Sequence, residues 1–327
     1  MKLITILFTI LFASLTSWNL ANAKCIIKKK KQEPITLNKY VEVDGKKMSY
    51  GVYGEKNEQT IVFLSGLNII SPIINYKPLA EALSDDFKVI IVEHFGHGYS
   101  DVSKNQRTID NIAKEVHALV QKLGLKNIYI SGHSLGGLYA LYYADKYPEN
   151  VVGFIGLDNS TLDGEEALVG YDTLIAEKVE CNKLFKNNTW SGNSELAIKT
   201  KKKTVDKLMS LKGIYYDYTE KDEKILETIF ENSYCNDNFV GEYTNIFDNY
   251  EATKGKKIPK SIPSLQILSS ETCEQYDDWL QMHKDKIYES PLNEIVILET
   301  GHNIMFYKKQ EVVDLIKNWV KKLNNNK

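Results

Sequence analysis

Short apolar runs alternate with helix-like stretches in two blocks of this chain, and a segment of different character separates the blocks. In the first block, residues 40–43 and 48–52 flank Asp44-Gly45, a pair suited to a tight hairpin. Apolar runs follow at 61–64, 89–92, 128–130 and 151–157, each short enough for a buried strand. Between them lie helical stretches around 79–83, at 109–123 and at 135–147. The second carries Ile109, Ile112, Ala113, Val116, Leu119, Val120 and Leu123 at helical spacing and stops at Gly124; the third ends before Pro148. The second block repeats the pattern, with strands at 265–268 and 295–298 and helices at 276–286 and 312–323. Such repetition predicts an α/β architecture, a mostly parallel sheet with helices on both faces.

The segment between the blocks, residues 161–255, is rich in Lys and Glu, shows no strand alternation and carries many aromatics. Among them are Tyr171, Trp190, Tyr215, Tyr216, Tyr218, Phe230, Phe239, Tyr243 and Phe247. It is expected to be an inserted helical cap, dividing the core into residues 24–160 and 256–327. The aromatics fit either an apolar substrate pocket or the cap's own core.

The first 23 residues have the features of a signal peptide: Lys2, an apolar run over 3–15, and the small-x-small end Ala21-Asn22-Ala23. The expected location is secreted or periplasmic; an uncleaved membrane anchor is the alternative, although the apolar run is short for a span of about 20 residues. Removing the leader takes Lys2 with it and moves the formal net charge from −2 to −3. Mild negative charge argues against nucleic acid as a partner. Arg107 is the only arginine among 41 basic residues, so bidentate recognition of phosphate is nearly unavailable. The basic run at 28–31 fits a solvated arm or peripheral contact with an anionic membrane. Four cysteines, Cys25, Cys181, Cys235 and Cys273, allow three full pairings in an oxidising compartment. Cys181 with Cys235, both in the cap segment, is the first pairing to test. No cysteine–histidine spacing suits zinc, and no glycine pattern suits a dinucleotide, so no metal or cofactor is expected.

The sharpest local signal is Gly132-His133-Ser134-Leu135-Gly136-Gly137. It follows an expected strand and opens an expected helix. A sharp turn there would expose the Ser134 hydroxyl above the sheet, with glycines where side chains would strike the neighbouring backbone. The plain alternative is an ordinary tight turn.

At this point the chain resembles the α/β-hydrolase family, over about residues 40–323 apart from the cap. Phe63-Leu64-Ser65-Gly66-Leu67 stands where the family has its oxyanion strand, with Ser65 in place of the usual His. Glu93-His94-Phe95-Gly96-His97-Gly98-Tyr99-Ser100 is similar to the family's Asp-x-x-Gly-x-Gly-x-Ser loop, with Glu93 in place of Asp. Gly301-His302 resembles the loop bearing the catalytic histidine. The resemblance implies the α/β-hydrolase fold, Ser134 as nucleophile, His302 as its base, and the backbone N–H groups of Leu67 and Leu135 as the oxyanion hole. Of the other histidines, His133 reads as structural, His94 and His97 as structural or pocket-lining, and His117 and His283 as uninvolved.

The acid is open. The family usually places it after the strand matching 265–268, where this chain has Thr272 with Glu271 and Glu274 nearby. The preceding strand ends at Asp158, where pancreatic-type lipases and a group of small bacterial hydrolases carry theirs. Asp158 is the first candidate and Glu271 and Glu274 are the alternatives; a helix-capping Asp is the plain reading of Asp158. The expected activity is hydrolysis of a small-molecule carboxylic ester with a hydrophobic part. Peptidase, amidase and thioesterase chemistry remain alternatives, and a catalytically silent binding protein is the rival from another class.

Overall fold

The computed structural model describes residues 38–161, 170–187 and 195–326. The expected leader, the basic run at 28–31, Cys25 and Trp190 lie outside the described residues. Eight strands form one sheet: β1 (Lys39–Val43), β2 (Lys46–Tyr53), β3 (Thr60–Leu64), β4 (Lys88–Val92), β5 (Ile128–His133), β6 (Val151–Leu157), β7 (Ser264–Ser269) and β8 (Glu294–Leu298). Their order is β1-β2-β4-β3-β5-β6-β7-β8. β1 and β2 are antiparallel to their neighbours and the rest run parallel. The β1–β2 turn uses Asp44 and Gly45, both at positive φ, as a two-residue hairpin requires.

Strand alternation sends successive side chains to opposite faces. Ile61 and Phe63 of β3 join one apolar cluster with Val89, Ile91, Ile155, Leu157, Leu265 and Ile267. That face is covered by α1 (Pro72–Leu83) and α13 (Lys309–Asn325). Val62, Leu64, Ile90, Val92, Ile128 and Ile130 face the other way, under α2 (Ile109–Lys122) and α3 (Leu135–Lys146). Each fully buried Ile, Leu, Val or Phe contributes roughly 1.5–3 kcal/mol, so the central strands, buried along both faces, anchor the fold.

Two helices differ from expectation. α1 extends well before the apolar stretch at 79–83, because Pro72 sits in the first turn, where no N–H is needed, and Ser71 caps it by accepting the Ile74 N–H. The interior Pro78 masks this helix in the sequence. The stretch at 276–286 is shorter than expected and is preceded by another helix: α10 (Ser270–Gln275), capped by Ser269, and α11 (Trp279–Asp285), with Tyr276 extended between them.

The segment between β6 and β7 carries α4 (Tyr171–Lys186), α5 (Glu195–Lys203), α6 (Val205–Met209), α7 (Glu220–Ser233), α8 (Asp237–Thr244) and α9 (Ile246–Glu251). The remaining short helix, α12 (Ile304–Tyr307), precedes α13. Cys181 of α4 is bonded to Cys235 just before α8, with Cα atoms 5.7 Å apart. Phe230, Tyr234, Phe239 and Tyr243 stack beside this bond, so these aromatics build the cap's own core. Polar contacts fasten the cap to the core. Lys77 of α1 pairs with the buried Asp222 at 2.9 Å, Tyr216 donates to Glu81, and Asn236 and Asn238 bond the backbone of Gly96 and Ser103. Among the described residues, no helix is long and apolar enough to cross a membrane.

Candidate functional site

β5 runs into α3 through a single residue, Ser134, held at φ 53° and ψ −130°. This strained conformation is unusual for a residue with a side chain. Neighbouring backbone over-determines it: Ser134 N–H donates to Leu157, and its carbonyl accepts from Gly137 and Ser160. A Cβ on Gly132 would run into the backbone of Gly136, and one on Gly136 into that of Leu64. The glycines around the serine therefore serve close packing of strand, turn and helix.

β6 ends beside this turn, and its next residue is Asp158. Its N–H bonds Ile267 of β7, fixing it between the two strands. The carboxylate is fully buried and ringed by donors: Ser269 N–H on Oδ1 at 2.9 Å, and Ser269 Oγ at 2.9 Å and Thr272 Oγ1 at 2.6 Å on Oδ2. His302 Nδ1 lies 2.7 Å from the same Oδ2. Burial works against the charge of Asp158, but the hydrogen bond and charge of His302, with Ser269 and Thr272, hold its pKa down at about 2. An ionised carboxylate only accepts, so Nδ1 carries the proton. The lone pair of neutral His302 is then on Nε2, the side turned away from Asp158.

Thr272, at the position where the family usually carries its acid, donates to Asp158, which follows the preceding strand. Glu271 and Glu274, the alternative acids, are exposed and make no side-chain hydrogen bond among the described residues. The structure thus brings Asp158 and His302 together and ties the His302 loop to the Ser134 turn through His133, while Glu271 packs against Gly301 and neither glutamate bonds His302.

Leu67 and Leu135 lie at the two turns that meet here. Gly66 packs so closely on the elbow that a Cβ would sit 2.9 Å from Ser134 Cβ. Leu135 is the first residue of α3, where N–H groups lack helical partners. Neither the Leu67 nor the Leu135 N–H has a hydrogen-bond acceptor among the described residues.

Sequence reasoning missed how these pieces are tied together. His133 Nε2 lies 3.1 Å from the carbonyl oxygen of His302, which can only accept, so Nε2 carries the proton. Burial, with His302 nearby, pulls the His133 pKa down to about 3, so the ring is neutral and its Nδ1 accepts. The donor to Nδ1 is Tyr76 O–H at 3.1 Å, and the same Tyr76 oxygen accepts Gly66 N–H at 3.2 Å. One directed chain therefore runs from Gly66 through Tyr76 to His133, and His133 in turn holds His302. Tyr76 had no signal beyond its place on an apolar helix.

The other histidines sit elsewhere. His97 bonds the Ile69 carbonyl and Glu242 of the cap; His94 is fully buried against Tyr139. His117 stacks on Tyr147, and His283 bonds the carbonyls of Trp279 and Asn159. No group of three or more His, Cys, Asp or Glu among the described residues is placed to hold a metal ion.

Comparison with known proteins places this geometry in a family. A family model described as the alpha/beta hydrolase fold matches residues 59–308. An uncharacterized protein of Bacillus subtilis is 39% identical over 120 residues, covering 36% of each chain. A 2-(acetamidomethylene)succinate hydrolase of Mesorhizobium japonicum is 28% identical over 144 residues, 42% of this chain and 51% of that one. A 3-oxoadipate enol-lactonase of Acinetobacter baylyi is 32% identical over 98 residues, 30% of this chain and 36% of that one. The matches thus span about a third to a half of these relatives. Among solved structures, a lipase described as putative from Acinetobacter baumannii superposes with a TM-score of 0.64 at 20% identity, covering 89% of this chain and 92% of that one. An epoxide hydrolase from Vigna radiata gives 0.63 at 19%, covering 87% and 98%. The chain belongs to the α/β-hydrolase fold family.

Proposed function

We propose that this protein cleaves carboxylic esters through an acyl-enzyme on Ser134, with His302 as general base and Asp158 as the acid that orients it. The observation that carries this reading is the 2.7 Å contact between the buried Asp158 carboxylate and His302 Nδ1, beside a serine in a strained strand-to-helix turn. His302 Nε2 takes the proton as Ser134 Oγ attacks the carbonyl carbon. Asp158 holds the tautomer and offsets the positive charge that forms on the imidazole. The oxyanion is received by the N–H groups of Leu67 and Leu135; each preorganised donor is worth roughly 3–4 kcal/mol in the transition state. His302 then protonates the leaving alcohol, and water activated by the same base releases the acid.

The names of the relatives support an acyl substrate: an enol-lactonase, a hydrolase of a succinate derivative, and, at 30% identity over 109 residues, an esterase/perhydrolase of Acinetobacter calcoaceticus. The silent-binder reading drew on the missing acid after β7, and Asp158 supplies one within reach of His302. Export fits the leader-like residues 1–23, and the Cys181–Cys235 bond supports an oxidising compartment. Stopped-flow turnover of chromogenic phenyl esters tests the chemistry. A burst of alcohol product stoichiometric with enzyme, absent in Ser134→Ala, is the expected result; equal turnover by the two proteins overturns it.

A further inference from the structure

Resting on that ester-hydrolase reading, we infer that Lys178 of the cap binds a carboxylate carried by the acyl substrate, so that the preferred esters are half-esters of dicarboxylic acids or lactones bearing an acid group.

Lys178 projects from α4 and is only 5% exposed. Its partners are neutral oxygens: Tyr234 Oη at 2.8 Å and Asn68 Oδ1 at 3.3 Å. The rings of Tyr234 and Tyr243 lie 5.2 and 5.3 Å from the ammonium. Among the described residues its hydrogen-bond partners include no carboxylate, and Glu177 acts on it only at longer range. Two hydrogen bonds also leave one of its three N–H donors without an acceptor among the described residues. Buried charges are normally paired, because an uncompensated one carries a large desolvation cost. By contrast, Lys77 of α1, which meets the cap across the same seam, has the buried Asp222 carboxylate at 2.9 Å. Burial pulls the Lys178 ammonium down to about 8, with Glu177 opposing, so it still carries its proton at neutral pH.

Its position gives the charge a use. Asn68, at φ 64°, directly follows Leu67, the proposed oxyanion donor, and is two residues beyond Gly66, which touches Ser134. Tyr234 donates to the same Asn68 oxygen at 2.8 Å. The backbone from Gly66 to Asn68 spans at most about 7 Å, and adding the Asn68 side chain and its 3.3 Å contact puts the ammonium at most about 14 Å from Gly66, within reach of an extended dicarboxylate half-ester. Leu67, Asn68 and Ile69 are each partly buried at this seam between cap and core, whereas the residues before them are fully buried. A substrate carboxylate there would meet a cation already stripped of water and held by Tyr234 and Asn68.

The test compares chromogenic phenyl half-esters of linear dicarboxylic acids, in a series of increasing chain length, with the matching terminal carboxamides, which have the same shape without the charge. Wild type is expected to favour the acid over the amide in kcat/KM, through KM, at one chain length. Lys178→Met keeps the buried volume and removes the charge; the acid-over-amide preference should fall roughly 10–100-fold, the scale of a charge-assisted hydrogen bond. Lys178→Arg should restore part of it. A second readout needs no turnover: the free dicarboxylate of the best length should raise the melting temperature of Ser134→Ala and not that of Ser134→Ala with Lys178→Met. Equal use of acid and amide by wild type overturns the inference while leaving the ester-hydrolase reading intact. Failure to cleave any ester, with dicarboxylate stabilisation present, overturns the reaction and leaves the carboxylate site.

Discussion

Asp158→Asn separates the proposed acid from every neighbour that could replace it. The carboxylate receives four donors in the structure: Ser269 N–H, Ser269 Oγ, Thr272 Oγ1 and His302 Nδ1. In the asparagine variant, the side-chain oxygen can keep the Ser269 N–H, but an NH2 group replaces Oδ2. The two hydroxyls can rotate to accept from it; His302 Nδ1–H cannot. The imidazole must move its proton to Nε2 to relieve the clash, which removes the lone pair that Ser134 needs. A wrong tautomer of this kind is expected to cost about 10⁴-fold in kcat, or about 5 kcal/mol of transition-state stabilisation. Folding should suffer less. The lost charge-assisted bonds, at roughly 1.5–3 kcal/mol each, are partly offset by no longer burying a charge, leaving a net loss of about 1–3 kcal/mol. The assay is single-turnover ester cleavage beside urea unfolding, with Glu271→Gln and Glu274→Gln as controls expected to stay within about twofold, since both side chains are exposed and neither bonds His302. If Asp158→Asn keeps kcat within about tenfold, or Glu271→Gln loses more than it does, the tautomer argument is wrong.

Other consequences are also measurable. The pKa of Asp158 is held at about 2, below its ordinary 3.8, so the stability it contributes is fully present above the ordinary value and is lost as pH falls toward 2. Wild type should lose about 2 kcal/mol more than Asp158→Asn between those limits, read from urea midpoints; parallel slopes would show that the carboxylate is not held low. His133→Gln retains an N–H for the His302 carbonyl, whereas His133→Asn retains only a group for Tyr76. The asparagine variant should therefore lose about 10²-fold in kcat, the scale of a misplaced catalytic group, and the glutamine variant much less. Equal losses with unchanged kcat/KM profiles would make His133 a packing residue. Cys181→Ser with Cys235→Ser opens a 54-residue separation, worth about 4 kcal/mol of chain entropy. Calorimetry should show a fall in melting temperature of roughly 10 °C, and no change would mean that the cap's own packing suffices.

The parts legible in the sequence share one property: their signal is local. Short apolar runs located every strand of the sheet, and period-3.6 apolarity the covering helices α2, α3 and α13, because these segments pack into the apolar clusters on the two faces of the sheet. Ser134 was legible because glycines on both sides are the visible trace of backbone contact. The N-terminal half of α1 was obscured by its own prolines, whose meaning depends on whether they fall in the first turn or beyond it. The choice among Asp158, Glu271 and Glu274 could not be made from local pattern, because it turns on which strand end faces the His302 loop. Thr272 looked like a lost acid and instead donates to Asp158, the residue after β6 and the proposed acid. The links among Gly66, Tyr76, His133 and His302 join four segments up to 236 positions apart in the sequence. Lys178 was one of many lysines until its surroundings showed a buried ammonium with neutral partners.

The central claim is that Ser134 is an activated nucleophile. Labelling with a fluorophosphonate, read by intact mass, tests it most directly, because the reagent needs the serine, its base and the oxyanion hole but no particular substrate. The account predicts one adduct on wild-type protein, none on Ser134→Ala, and strongly slowed labelling of Asp158→Asn. Folded wild-type protein that stays unlabelled, or a Ser134→Ala variant that labels equally, would contradict it.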